Sequence, residues 1–189
     1  DIADVNRSAS RFDTEKLRWL NQQYLKNDPP GEVAKHLGWH LHHAGYDLAS
    51  GPSPVDVVIA LRDRVHTLKE MAERARIWFE PLREYDEAAV AKHLTDAAAA
   101  LLASVRERLA DAPNWTPEGV HAALVHTSEA LGLGMGKIAQ PLRVALTGTQ
   151  VSPSIEHTVY LAGREEALER IDAALVLIAK RSGSTSQGA

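Results

Sequence analysis

Two basic residues, Lys137 and Arg143, stand in a long window of the chain that contains no acidic residue. No Asp or Glu occurs between Glu129 and Glu156, although the whole chain carries 25 Asp and Glu against 21 Lys and Arg. Glycine, proline and small hydroxyl residues fill much of this window. Such a surface can approach phosphates or base edges without electrostatic repulsion. The window is therefore the first candidate for nucleic-acid binding.

Arg143 is the sharpest candidate in this window because it has no acidic neighbour in sequence to pair with. An arginine fork can read guanine edges or phosphates through two hydrogen bonds, and it can stack on unpaired bases. The alternative is an ion pair with a distant Asp or Glu. Ser152 is expected to cap a helix, whose N-terminus can also meet a phosphate or a base oxygen. Ile155 offers an apolar platform for a base or joins the core.

A second basic segment, LRDRVHTLKEMAERARIWF at residues 61–79, contains two further candidates, Arg62 and Arg64. Acidic residues interleave with its basic ones, so a solvated, ion-paired helix face explains much of the pattern. At helical pitch Arg62 and Arg64 project about 200° apart and cannot both point at one ligand atom unless the helix ends there. One is expected to serve recognition and the other packing.

Other motifs do not indicate catalysis. The segment GLGMGK lacks the first glycine and the final Ser or Thr of a phosphate loop, so it predicts a tight turn between helices. His36 and His40 lie four residues apart on a predicted helix, but no third metal ligand is well placed, and exposed helix histidines are the simpler explanation. No nucleophile elbow occurs. We therefore expect no catalytic residue, metal or cofactor in this chain.

Capping signals divide the chain into helices only, and no window alternates as a strand would. The fold prediction is all-α, a bundle of two small helical subdomains. The first spans residues 1–82 with a linker segment, and the second spans 83–181. Residues 182–189, SGSTSQGA, are predicted to form a disordered tail after a last helix that reaches about Lys180. The predicted helix starts are Asp13, Pro30, Ser53, Thr67, Asp86, Thr95, Thr116, Pro141, Ser152 and Gly163.

Composition narrows the cellular context. Zero cysteines fit a reducing compartment, and abundant alanine and leucine with only 5% aromatics favour packed helices. No apolar run reaches the roughly 20 residues of a membrane span, and no signal peptide opens the chain. These features predict a cytoplasmic protein with no membrane partner.

Long phrases of the chain resemble one known family. GMGKIAQPLRVALTG, SPSI and LAGREEALERIDAAL resemble the C-terminal, anticodon-binding half of bacterial glutamyl-tRNA synthetases. FDTEKLRWLNQQYL resembles the segment that links the two halves of those enzymes. The resemblance implies an all-α cage that grips the anticodon stem-loop of tRNA(Glu). It also implies an upstream catalytic domain of the same chain that uses ATP and Mg²⁺ to attach glutamate. Neither ATP motif of that domain occurs here, so the chain resembles an inactive C-terminal fragment of the enzyme.

The resemblance also assigns roles to individual residues. The family's recognition positions fall on Arg143, Ser152 and Ile155, and an arginine of the LRDRVHTLKE segment adds a fourth. We favour Arg64 over Arg62 for that role and count Lys137 as part of the same basic surface. A monomer is expected. The alternative function is a stand-alone helical protein-interaction domain, because the residues alone favour a nucleic-acid or protein binding module only weakly.

Overall fold

The computed structural model describes residues 13–186 of the chain, with side chains up to residue 183. Within this range every element is an α-helix, which confirms the all-α prediction. The ten helices are α1 Thr14–Asn27, α2 Pro30–His43, α3 Pro54–Leu61, α4 Leu68–Phe79, α5 Glu87–His93, α6 Asp96–Ala110, α7 Pro117–Leu131, α8 Met135–Thr147, α9 Ile155–Ala162 and α10 Arg164–Ser186.

Side-chain caps begin several helices where the sequence predicts them. Asp13 accepts from the amide of Lys16, Thr67 from that of Glu70, and Thr116 from that of Gly119, each at 3.1 Å. Each bond satisfies an amide that has no partner inside its helix, and such a cap stabilises a helix by about 1 kcal/mol. Gly132 ends α7 with φ of 63°, a left-handed conformation that suits glycine.

Two predicted helix starts are wrong. Pro141 does not begin a short helix but lies inside α8, which starts at Met135. Burial of Ile138 and Ala139 against the core extends the helix before the proline, at the expense of one backbone bond. Ser152 is not a helix cap, because α9 starts at Ile155 and its N-cap is Ser154.

The last helix extends past its predicted end near Lys180 and reaches Ser186. The Ser182 hydroxyl donates to the carbonyl of Ile178 and to the carboxylate of Asp96 on α6, which ties this part of α10 to its neighbour. Residues 187–189 of the predicted tail and residues 1–12 of the predicted linker lie outside the described residues.

Two clusters of buried apolar side chains form the core. One comes mainly from α2, α3 and α4 and includes Leu37, Leu41 and Met71. The other comes from α5 to α10 and includes Leu102 and Leu142. The predicted boundary at residues 82 and 83 lies in the segment between α4 and α5, and the division into two subdomains stays a prediction.

Polar bonds join the two clusters. Trp78 on α4 donates its indole N–H to the carbonyl of Thr158 on α9 at 3.2 Å. Tyr160 donates to the carboxylate of Asp56 on α3 at 3.3 Å. The buried Arg170 on α10 donates to carbonyls at the ends of α4 and α8. These bonds fix α8 and α9 relative to α3 and α4.

No single helix among residues 13–186 is long and apolar enough to cross a membrane; only α5 and α6 taken together, bent by 84°, meet that criterion.

Candidate nucleic-acid interface

Arg143 and Arg64, separated by 79 positions in the sequence, meet at the backbone carbonyl of Ser152. Arg143 Nη1 donates to this carbonyl at 3.0 Å, to the carbonyl of Pro153 at 2.6 Å, and to the Ser152 hydroxyl. Arg64 Nη1 lies 3.5 Å from the same Ser152 carbonyl, at the long limit of hydrogen bonding. The structure therefore brings three of the predicted site residues together, and we call Arg64, Arg143 and Ser152 the arginine cluster.

Hydrogen bonds hold the loop between α8 and α9 that carries Ser152. The Ser152 hydroxyl lies 2.8 Å from Thr158 Oγ1, which in turn donates to the carbonyl of Ser154 at 2.9 Å. The backbone of Thr158 accepts the bond from Trp78 described above. The loop is thus tied to α4 as well as to α9, and its carbonyls keep a fixed position in front of the two arginines.

The charges of the arginine cluster are unbalanced. Among residues 13–183, no carboxylate forms an ion pair with Arg64 or Arg143 at 4 Å or less. Burial lowers the pKa of the Arg143 guanidinium, the nearby charge of Arg64 lowers it further, and Glu156 opposes both effects. Its Nε is buried without a hydrogen-bond partner among the described residues. Two cations held together in this way favour the approach of an anionic or acceptor-rich ligand.

Arg62 and Arg64 occupy different sites because both lie in the break between two helices. Helix α3 ends at Leu61, and α4 begins only at Leu68. Arg62 is turned toward the end of α1, where its Nη2 donates to the carbonyl of Asp28 at 3.1 Å. Arg64, which is exposed, faces the Ser152 loop instead. This placement gives Arg62 a packing contact and brings Arg64 to the candidate site, and the division of their roles stays a prediction.

Lys137 and Ile155 are not brought into the arginine cluster. Lys137 is exposed in the first turn of α8, six residues before Arg143 and so roughly 9 Å away along the helix axis. It lines a separate hollow of about 830 Å³ together with Lys92 and His93. Ile155 is 6% exposed and belongs to the core, the second of the two alternatives given for it.

The structure adds site residues that the sequence analysis missed. Gln140 lies on α8 one turn before Arg143 and lines the same hollow as Lys137, and its buried side-chain oxygen has no partner among the described residues. Pro153 contributes its carbonyl, and Trp78 and Thr158 support the loop. The three-residue spacing from Arg143 could have placed Gln140 near it on a predicted helix. No local sequence pattern could have indicated the role of Trp78, because its partner Thr158 is 80 positions away.

The described residues include no group of three or more His, Asp or Glu placed to hold a metal ion. His36 and His40 both lie on α2, and neither belongs to such a group.

Comparison with known proteins adds to this geometry. The family model of the anticodon binding domain matches residues 32–175. The glutamate–tRNA ligase of Stenotrophomonas maltophilia is 58% identical over 179 residues, which is 95% of this chain and 38% of the ligase. The ligase of Xylella fastidiosa is 58% identical over 177 residues, 94% of this chain and 38% of that protein. A crystal structure of a glutamate tRNA ligase from Elizabethkingia meningosepticum, in complex with its amino acid, matches with a TM-score of 0.83. That match is 25% identical and covers 94% of this chain and 35% of the other.

The helical fold and the match over residues 32–175 define an anticodon-binding domain, and the chain belongs to that family. Its relatives are glutamate–tRNA ligases, and the match lies in their C-terminal part, which confirms the resemblance found in the sequence. The chain spans about 38% of the length of the curated relatives it matches.

Proposed function

We propose that the arginine cluster recognises the anticodon loop of tRNA(Glu), and that the chain serves as the tRNA-selecting part of a glutamate–tRNA ligase. The convergence of Arg64 and Arg143 on one loop without a carboxylate is the observation that carries this proposal. A purely structural arginine pair would bring two positive charges together with only backbone carbonyls and the more distant Glu156 to offset them. A loop of RNA supplies phosphates and base acceptors that compensate both charges.

Each member of the cluster has a distinct part in this proposal. Arg143 holds the Ser152 loop through Nη1, and in this proposal its Nη2 donates to a base edge. Arg64, which is exposed and makes a single long bond within residues 13–183, approaches a phosphate or a second base. The Ser152 hydroxyl, which accepts from Arg143, offers a further donor or acceptor to the RNA, and Ile155 supports the loop from the core. Lys137 contacts the RNA backbone at the edge of the surface.

The relatives support a proposal for the complete enzyme of which this chain would be a part. In the complete ligase, a catalytic part would use ATP and Mg²⁺ to attach glutamate to the tRNA. The residues described here offer no site that fits those groups, since GLGMGK forms the link after α7 and the first turn of α8, and no metal-binding cluster is present among residues 13–186. We further propose that the chain acts as a monomer in the cytoplasm. In this proposal residues 1–82 face the stem of the tRNA and residues 83–181 face its anticodon.

The test is binding of the 189-residue chain to anticodon stem-loops of equal length and charge. We expect the stem-loop of tRNA(Glu) to bind more tightly than one with a single changed anticodon base, by about 1–3 kcal/mol. Affinity should fall with rising salt, because each neutralised phosphate releases counterions. Equal affinity for both stem-loops would overturn anticodon recognition. The absence of salt-dependent binding to either would favour the protein-interaction alternative. ATP–pyrophosphate exchange by this chain alone would contradict its proposed place in the ligase.

A further inference from the structure

The hollow of about 830 Å³ that lies between α5, α6 and the start of α8 is large enough for a small molecule. Sites for such ligands usually measure about 300–1,000 Å³. Ala98, Leu101 and Pro141 give the hollow apolar walls. His93 on the same wall lies 3.1 Å, from Nε2 to Oε1, from Gln150 in the loop between α8 and α9. The hollow is therefore connected to the loop that belongs to the arginine cluster.

The charges around the hollow favour an anion. Lys92 and Lys137 line it, both are exposed, and neither forms an ion pair at 4 Å or less among residues 13–183. No Asp or Glu belongs to the described residues that line the hollow. Asp96, in the first turn of α6, accepts instead from Ser182 on α10. Two lysines without an acidic partner therefore border the same space.

Two helix N-termini meet at this hollow. Thr95 precedes α6 and Gly134 precedes α8, and neither supplies a side-chain cap. Both residues line the hollow, as do Ala97 and Gly136 in the first turns of the two helices. First-turn amides have no acceptor within their own helix, and the helix dipole adds partial positive charge there. A phosphate in the hollow would accept hydrogen bonds from such amides and pair with the two lysines.

Gln140 is the observation that points beyond a bare phosphate. It lines the hollow, and its side-chain oxygen is buried without a donor among the described residues. A buried acceptor that lacks a donor is destabilising, so a ligand that brings a donor is favoured. The N–H groups on the edge of a nucleobase are such donors, and apolar walls suit the faces of the base. A phosphate joined to a base is a nucleotide.

We propose that the hollow binds a nucleotide, with its phosphate at the two helix N-termini and its base beside Gln140. Two sources supply this chemistry. One is a free nucleoside monophosphate, whose binding is independent of anticodon recognition. The other is an unstacked nucleotide of the tRNA other than the one at Arg143, and in that case the inference rests on the proposed function.

Gly136→Glu tests the phosphate end of the hollow without removing a packing contact. Gly136 is exposed, and a Cβ added there meets no atom within 4 Å. A carboxylate in the first turn of a helix is compatible with the dipole, so the melting temperature should not fall. Repulsion of the phosphate should weaken nucleotide binding about tenfold or more. Gly31→Glu is the matched control, because Gly31 is exposed and equally open in the first turn of α2 and does not line the hollow.

The experiment titrates the 189-residue chain with two series of probes and follows the backbone amide NMR signals of Gly134 and Gly136. The first series is AMP, CMP, GMP and UMP, with inorganic phosphate beside them. The second is the tRNA(Glu) anticodon stem-loop, intact or with one loop nucleotide at a time made abasic. We expect saturable shifts in at least one series, weakened by Gly136→Glu and unchanged by Gly31→Glu. Gln140→Leu should weaken nucleotide binding but leave the binding of inorganic phosphate unchanged.

The two series distinguish the sources of the nucleotide. Saturable binding of a monophosphate identifies a free nucleotide as a ligand. An abasic stem-loop whose affinity no longer responds to Gly136→Glu identifies the tRNA nucleotide that occupies the hollow.

The proposal is overturned if neither series shifts these amides, or if inorganic phosphate binds as tightly as the tightest nucleotide probe. Equal weakening by Gly136→Glu and Gly31→Glu would also overturn it, because the effect would then reflect net charge alone. Monophosphate binding by a chain that does not discriminate between anticodon stem-loops would count against the proposed function alone. Specific stem-loop binding that Gly136→Glu leaves intact, without monophosphate binding, would count against the nucleotide site alone.

Discussion

Arg143 and Arg170 are two partly or fully buried arginines with opposite surroundings. Arg170, which is 6% exposed, is fully engaged by Glu166 at 2.6 Å and by the carbonyls of Ile77, Leu146 and Glu80 at 2.7, 2.8 and 3.1 Å. Arg143 has no carboxylate partner among the described residues, and its buried Nε is unpaired. The charge of Arg170 is therefore balanced by a carboxylate and its donors are bonded. Arg143 lacks a carboxylate partner among residues 13–183, and its Nε donor is unbonded there.

This difference separates a structural arginine from a candidate binding arginine. Arg170 ties the end of α4 to the end of α8, and α8 also carries Arg143. The hydrogen bonds of Arg170 thereby help to hold Arg143 opposite Arg64, which lies between α3 and α4. Substitution of Arg170 should lower the free energy of unfolding, whereas substitution of Arg143 should lower the affinity for RNA.

The largest expected effect comes from Arg170→Met, which removes the charge and leaves three carbonyls without their donor. We expect the free energy of unfolding to fall by about 3 kcal/mol, because buried polar groups lose their partners. Urea denaturation of the isolated chain measures this loss. Arg106→Met is the control, since the Arg106–Asp172 pair is half exposed and screened by solvent, so its loss should change stability far less. An equal loss in the free energy of unfolding for Arg170→Met and Arg106→Met would contradict the structural role given to Arg170.

Trp78→Phe should weaken the support of the Ser152 loop without a large change in packing. The variant keeps an aromatic ring but removes the bond from the indole N–H to the carbonyl of Thr158. We expect a loss of about 1–2 kcal/mol in the free energy of unfolding. Unchanged stability in urea denaturation would show that this bond does not help to hold α9 against α4.

Arg64→Ala and Arg62→Ala should separate recognition from packing. Arg64→Ala is expected to reduce the salt dependence of stem-loop binding by about one unit if Arg64 contacts a phosphate. Arg62→Ala is the matched variant and should leave binding unchanged, because Arg62 is turned toward Asp28. Titrations at several salt concentrations measure both slopes, and a larger effect of Arg62 would reverse the assignment.

The smallest effect is the acid dependence of the Arg106–Asp172 pair. The hydrogen bond from Arg106 holds the pKa of the Asp172 carboxyl below its usual value of 3.8. The pair therefore stabilises the protein fully above about pH 4, and this contribution is lost as the pH falls through the lowered pKa. Asp172→Asn should be less stable than the wild type by under about 1 kcal/mol at neutral pH. A difference that persists at the acid end of a pH series of denaturation curves would contradict this explanation.

Local chemistry explains which parts of the fold could be predicted from the sequence. Asp13, Thr67 and Thr116 cap helices through amides three residues away, so their roles depend only on neighbours. Pro141 resembles a helix start by the same local rules, and only tertiary burial of the preceding turn places it inside α8. Ser152 precedes a proline just as Ser53 does at the start of α3, but the cap of α9 is Ser154.

Long-range pairing explains what could not be predicted about the candidate site. Arg143 stood out because no acidic residue is near it in sequence. The choice between Arg62 and Arg64 required the break between α3 and α4, which places Arg64 beside Ser152 at a separation of 88 positions. The hydrogen bonds of Arg170 span up to 93 positions, and no pattern within one sequence encodes such contacts.

The most direct test of the account is the affinity of Arg143→Ala for the tRNA(Glu) anticodon stem-loop, measured beside its melting temperature. We predict that cognate binding weakens by about 1–3 kcal/mol and that discrimination against a stem-loop with one changed anticodon base shrinks with it. The melting temperature should change far less than in Arg170→Met. Wild-type affinity for the cognate stem-loop at unchanged stability would contradict the account and remove Arg143 from the site.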